Sequence, residues 1–119
     1  MVTESSAFSV TRHTHGEAVV LEVCGALDQV TAPSLATQFD IVLMSGPAVL
    51  VVDLTGVDFM SSAGISLLVE THRLTERTAT ALRVAAEGPA TSRPMRIVGV
   101  DKMIDLYPTV TEAIRGRQP

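Results

Sequence analysis

The chain has 119 residues, of which 46% are apolar and only 3% aromatic, and its net charge is −4. That length gives one domain with a modest core built from Val, Leu, Ile, Ala and Met, and the apolar share excludes a disordered tail. The acidic balance argues against a binder of phosphate backbones, and Tyr107 with three Phe leaves almost nothing on which bases could stack.

Other classes fall away on similar grounds. No stretch approaches the ~20 apolar residues needed to span a bilayer. The start, Met1 to Ser6, is polar and carries no signal-peptide pattern. The single Cys24 has no internal partner and fits a reducing compartment, so the cytosol is the expected location. Arg93, Arg96 and Lys102 form a sparse basic cluster that reads as a solvated face.

In chain order, residues 1–7 are expected to be frayed. Phe8 to Arg12 alternates apolar and polar residues, as a half-exposed strand does. After a turn at His15-Gly-Glu17, Ala18 to Cys24 reads as the returning strand of an antiparallel hairpin at a sheet edge. Gly25 to Thr31 is a turn segment in which Thr31 is expected to cap the next helix, with Pro33 in its first turn. Leu35, Phe39, Val42 and Leu43 recur at helical spacing until Gly46-Pro47.

Ala48 to Leu54 is a β-branched apolar run bounded by Gly46-Pro47 and Thr55-Gly56, the pattern of a strand buried on both faces. From Ser62 the period changes. Ile65, Leu68, Val69 and His72 share a helical stripe, and no Pro or Gly interrupts Ile65 to Arg77. Leu82 to Ala86 reads as a strand ended by Gly88-Pro89. Ser92 and Pro94 open a short helix through Val100, Met103 to Tyr107 reads as a last short strand, and Thr109 or Thr111 caps a terminal helix. Residues 115–119 are expected to be loose.

The predicted order is β-β-α-β-α-β-α-β-α. This is one α/β domain over residues 1–119, with a mixed, mainly parallel sheet, an N-terminal hairpin and about four helices.

Phe59-Met-Ser-Ser-Ala-Gly64 joins the central strand to its helix. Ser62 is placed there as the helix N-cap, where backbone N–H groups lack intrahelical partners and the macrodipole is positive. The same position suits a phosphorylatable serine, and both readings stay open. Asp28 follows a strand at the same end of the sheet. It is either close to Ser62 or a turn-forming Asp bonded to its own backbone.

No phosphate-cradling Gly-rich motif follows any strand, so no nucleotide or other cofactor is expected. His13 and His15 share a strand face but show no third ligand, so no metal is expected either. His72 reads as a packing residue. Ser62 with Gly64 matches half of a nucleophile elbow, but Met60 stands where the first glycine would be. His72 lies about three turns down the same helix, out of reach. No catalytic residue is assigned, and the chain reads as a binding module rather than an enzyme.

Two segments taken together are more specific. Gly25-Ala-Leu-Asp-Gln-Val-Thr-Ala32 resembles the Gly-Glu-Leu-Asp-x-x-Thr-Ala segment of the bacterial anti-sigma factor antagonists, which are single STAS domains. Val52-Asp-Leu-Thr-Gly-Val-Asp-Phe-Met-Ser-Ser-Ala-Gly-Ile65 is similar to their central strand and serine turn. The resemblance covers nearly the whole chain.

It implies a protein that, unphosphorylated, binds an anti-sigma factor and so frees a sigma factor. That anti-sigma factor would be a small serine kinase of the histidine-kinase-like ATPase fold. Phosphorylation would end the binding, and a phosphatase would restore it. The phosphorylated position corresponds to Ser62, with Ser61 as second choice, and the loop aspartate to Asp28. Thr31, Ser61, Ala63 and Gly64 complete the implied switch surface. Ser61 replaces the acidic residue that often precedes the phosphoserine, and Ala26 replaces a Glu. The alternative within the same fold is an accessory subunit of a membrane transport or stress-sensing complex, which would need no phosphorylation.

Overall fold

The computed structural model describes residues 2–5 and 8–116. Its strands are β1 (Val2–Ser5), β2 (Phe8–His15), β3 (Ala18–Leu27), β4 (Val49–Met60), β5 (Ala81–Ala85) and β6 (Asp105–Tyr107). Its helices are α1 (Ala32–Ser45), α2 (Ser62–Thr75), α3 (Ser92–Ile97) and α4 (Val110–Arg115), with a 3-10 turn at Val100–Lys102. The strands form one sheet in chain order. β1, β2 and β3 pair antiparallel, whereas β3 to β6 are parallel.

Parallel strands laid down in chain order and joined by right-handed crossovers place their connecting helices on one face. The core follows that rule. Leu35, Phe39 and Val42 of α1, Leu68 of α2 and Met95 of α3 are buried with Leu21, Leu50, Val52, Leu54 and Val84. The alternate residues Val20, Val51 and Ala85 point to the other face, where Ala113 of α4 and Tyr107 cover them. β4 is thus buried on both faces, as its apolar run predicts.

Local chemistry sets the helix ends. Pro33 occupies the first turn of α1, and Gly46 closes it at φ 63°, donating its N–H to the Leu43 carbonyl. Thr109 caps α4 by accepting the Glu112 N–H. At the far end of α4, the Arg83 guanidinium donates to the carbonyls of Ala113 and Ile114, two of the last-turn acceptors that lack helical partners.

Several elements differ from the sequence expectation: β3 runs on through Gly25, Ala26 and Leu27, which the sequence reads as turn, and β6 begins at Asp105 rather than Met103. Val2–Ser5 pair with β2 as an edge strand instead of fraying; residues 1, 6, 7 and 117–119 lie outside the described residues. The hairpin is β2–β3, but β3 lies inside the sheet because β4 pairs with its other side. β4 does not stop at Thr55-Gly56. It runs on to Met60, held by β3 alone after its pairing with β5 ends at Asp53, and two register shifts accommodate the extra residues. Finally, α3 ends at Ile97, and the chain reaches Val100 through Gly99 at φ 81°.

Candidate functional site

The extension of β4 carries the serine turn beyond the end of β5 and sets it beside the end of β3. Leu27 and Met60 are register partners, and the Leu27 carbonyl accepts the Ser61 N–H at 2.9 Å. This bond holds Ser61 extended, at φ −88° and ψ 174°, and the chain turns into α2 at the next residue.

Ser61 is therefore the N-cap of α2, not Ser62. Its Oγ accepts the Ala63 N–H at 3.2 Å. Its carbonyl accepts the N–H groups of Gly64 and Ile65. Ser62 is the first helical residue and is exposed; among the described residues, its hydroxyl has no protein partner. Of two adjacent serines, one is consumed by the fold and the other is left free.

Gly64 makes the turn possible through space rather than through an unusual φ. A Cβ there would lie 2.9 Å from Leu27 Cγ and 3.3 Å from the Leu27 carbonyl oxygen. Leu27 is fully buried, so it cannot move aside cheaply.

The neighbouring loop is closed differently. Asp28 Oδ1 accepts the N–H groups of Val30 and Thr31, at 2.9 and 3.1 Å. Thr31 Oγ1 accepts the Asp28 N–H at 2.9 Å and donates to the Ala26 carbonyl at 2.8 Å. The two residues thus satisfy each other reciprocally, as in a capping box. Thr31 stands at the N-cap position of α1, yet its hydroxyl makes no cap bond to that helix, contrary to the sequence expectation. The hydrogen bond from the Thr31 N–H, aided by those from Val30 N–H and the Thr31 hydroxyl, holds the Asp28 carboxyl below its ordinary value of 3.8 despite some opposing desolvation. Asp28 carries its full charge at neutral pH. Its carboxylate serves its own loop, which is the turn-forming reading; it makes no hydrogen bond to Ser62.

Asp28, Thr31, Ser61, Ser62, Ala63 and Gly64 are gathered by the adjoining ends of β3 and β4. A shallow groove between α1 and α2 opens beside them, lined by Ala32, Ala36, Ala63, Ser66 and Glu70. Two apolar side chains that the sequence reading passed over flank the turn segments. Val30 is 84% exposed and Phe59 54% exposed, large values for residues of their kind. An apolar residue inside a Gly25–Thr31 turn, where burial is not required, was the available signal for Val30.

The remaining polar candidates lie elsewhere. His72 Nε2 is 3.5 Å from Glu76, one turn further along α2 and away from Ser62. His13 pairs across strands with Glu22 at 3.3 Å. Among the described residues no cluster of three or more His, Cys, Asp or Glu could hold a metal ion. No described helix is long and apolar enough to cross a membrane.

Comparison with known proteins agrees with this architecture. The STAS domain family matches residues 9–113. The chain belongs to the STAS domain family. The anti-sigma-F factor antagonist RsfB of Mycobacterium tuberculosis is 32% identical over 112 residues, which span 92% of this chain and 89% of RsfB. The crystal structure of an anti-sigma factor antagonist from Mycobacterium paratuberculosis superposes with a TM-score of 0.86 at 35% identity, covering 92% of both chains. The anti-sigma factor antagonist SpoIIAA in its unphosphorylated form has the same fold, with a TM-score of 0.73 at 21% identity over 95% of this chain and all of SpoIIAA. In this STAS domain, then, the serine turn and the Asp28 loop occupy the protruding end of the β3–β4 pair.

Proposed function

We propose that this STAS domain is an anti-sigma factor antagonist that works as a phosphorylation-controlled partner switch. Unphosphorylated, it binds an anti-sigma factor that is also a serine kinase, and a sigma factor is freed. The kinase phosphorylates Ser62, the complex separates, and a phosphatase restores the first state. The work is done in the cytosol, and the chain contributes no catalytic residue of its own.

The observation that carries this reading is the division of labour between Ser61 and Ser62. A kinase needs a hydroxyl it can reach without unfolding its substrate, and Ser62 offers one. A phosphate on Ser62 adds about −1.5 to −2 charge at neutral pH. The N–H groups of Ala63, Gly64 and Ile65 already have acceptors within the turn. The dianion therefore meets the positive end of the α2 dipole but few free N–H donors, and most of its charge stays at the docking surface. Burying it unpaired against a partner costs several kcal/mol, enough to dissolve a complex of ordinary affinity. Similarity to RsfB and to the Mycobacterium paratuberculosis protein, both called anti-sigma factor antagonists, supports the choice of partner. Val30 and Phe59 supply apolar anchors beside a polar centre.

A capture experiment from the source cell with wild type, Ser62→Ala and Ser62→Asp tests the proposal. Wild type and Ser62→Ala are expected to retain an anti-sigma factor of the ATPase fold, and Ser62→Asp to lose it. Equal capture by all three, or capture of transporter subunits in its place, would contradict the switch.

A further inference from the structure

The face formed by α3 and the 3-10 turn has an unusual composition. Ile97, Val98 and Met103 are 75%, 62% and 44% exposed, the densest run of exposed large apolar residues among the described residues. Residues 93–103 carry three cations, Arg93, Arg96 and Lys102, against the single acid Asp101. The rest of the chain carries six cations against twelve acids. A basic, apolar patch thus stands on an otherwise acidic molecule.

Arg93, Arg96 and Ile97 line one depression together with Glu87, Pro89 and Ser92. Ser92 is turned inward, exchanging hydrogen bonds with the Gly88 backbone, so the loop that shapes the depression is fixed. Arg96 reaches Asp101 only at 3.7 Å, and both side chains are partly exposed, a pairing of little worth that a stronger acceptor would displace.

We propose that this face is a second docking surface, separate from the serine turn, and that its occupant is an acidic segment of a protein partner with aliphatic residues between its carboxylates. Two guanidinium groups beside an aliphatic wall match that chemistry: each Arg can hold a carboxylate through paired N–H donors, and Ile97 covers the adjoining apolar side chain. A lipid surface fits less well. α3 has only six residues, too short to lay an amphipathic face into a bilayer interface. The surface lies on α3 rather than α2, and on this proposal it is used whatever the state of Ser62.

The test is a titration of the full chain into a fluorescein-labelled peptide in which Asp and Glu alternate with Leu, read by anisotropy. Saturable binding is expected, weakened about tenfold or more in Arg93→Glu/Arg96→Glu, the equivalent of about 1.4 kcal/mol, and weakened further by added salt. Ile97→Ser should weaken it less. Both arginines are exposed, so thermal unfolding should be unchanged; the gentler Arg96→Gln should give an intermediate loss. Ser62→Asp should bind the peptide as wild type does, which separates this surface from the proposed switch. Absence of saturable binding, equal binding by the double variant, or binding to phosphatidylserine vesicles that the peptide cannot compete away would each overturn the proposal.

Discussion

The starts of α1 and α2 lie side by side at the end of the β3–β4 pair, and they are finished in opposite ways. At α1, Asp28 and Thr31 consume each other's hydrogen-bonding capacity and leave the carboxylate committed to its own loop. At α2, Ser61 alone closes the turn and Ser62 is left exposed. The first start is a closed structural device. The second keeps one hydroxyl in reserve, on a turn whose shape does not depend on it. A modification there changes the surface charge without dismantling the support, which is what a reversible switch requires.

Substitutions can break or sharpen this contrast. The largest effect on stability is expected from Gly64→Ala, because its Cβ would press on Leu27 Cγ and on the Leu27 carbonyl oxygen that holds Ser61. Overpacking of this kind costs about 1–3 kcal/mol, to be read by urea denaturation, and wild-type stability would show that the two segments are not locked together. Ser61→Ala removes the α2 cap and should cost about 1 kcal/mol in the same assay.

Asp28→Asn should lower Tm at neutral pH, with a characteristic pH profile. The folded carboxyl titrates below 3.8, its ordinary value, so its stabilisation is complete above that pH and fades as pH falls through the lowered value. Wild type and Asp28→Asn should therefore converge in strong acid, which thermal melts across an acid series can follow. A difference that stays constant would mean that the charge of Asp28 does not stabilise its loop. The smallest effect belongs to Ser62→Ala, within about 0.5 kcal/mol of wild type, since its exposed hydroxyl supports nothing in the fold. A loss as large as that of Ser61→Ala would erase the distinction on which the proposed switch rests.

Much of this architecture is legible in the sequence. The alternation of strand and helix, the β-branched run of β4 and the turn residues Pro33, Gly46 and Thr109 are local signals, and each led to the right element. The exceptions share a physical origin in long-range pairing. Thr55-Gly56 reads as the end of a strand, yet β4 continues because Cys24 to Leu27 of β3 are there to pair with it. Val2 to Ser5 looks too polar to be ordered, but β2 supplies a ladder. The choice of cap between Ser61 and Ser62 cannot be made from two identical neighbours. It is made by the Leu27 carbonyl, from a segment far away in the chain. The sequence therefore places the candidate residues in neighbouring turns, while which serine caps α2 is visible only in three dimensions.

The most direct measurement is to incubate the chain with ATP and the proposed partner kinase, locate the phosphate by peptide mass spectrometry, and titrate that kinase with wild type, Ser62→Ala and Ser62→Asp by calorimetry. The account predicts phosphate on Ser62 and none on Ser61, with Ser62→Ala binding as wild type does. It also predicts at least about a hundredfold weaker binding for Ser62→Asp, some 2.7 kcal/mol. Phosphate on Ser61, or undiminished binding by Ser62→Asp, would contradict it.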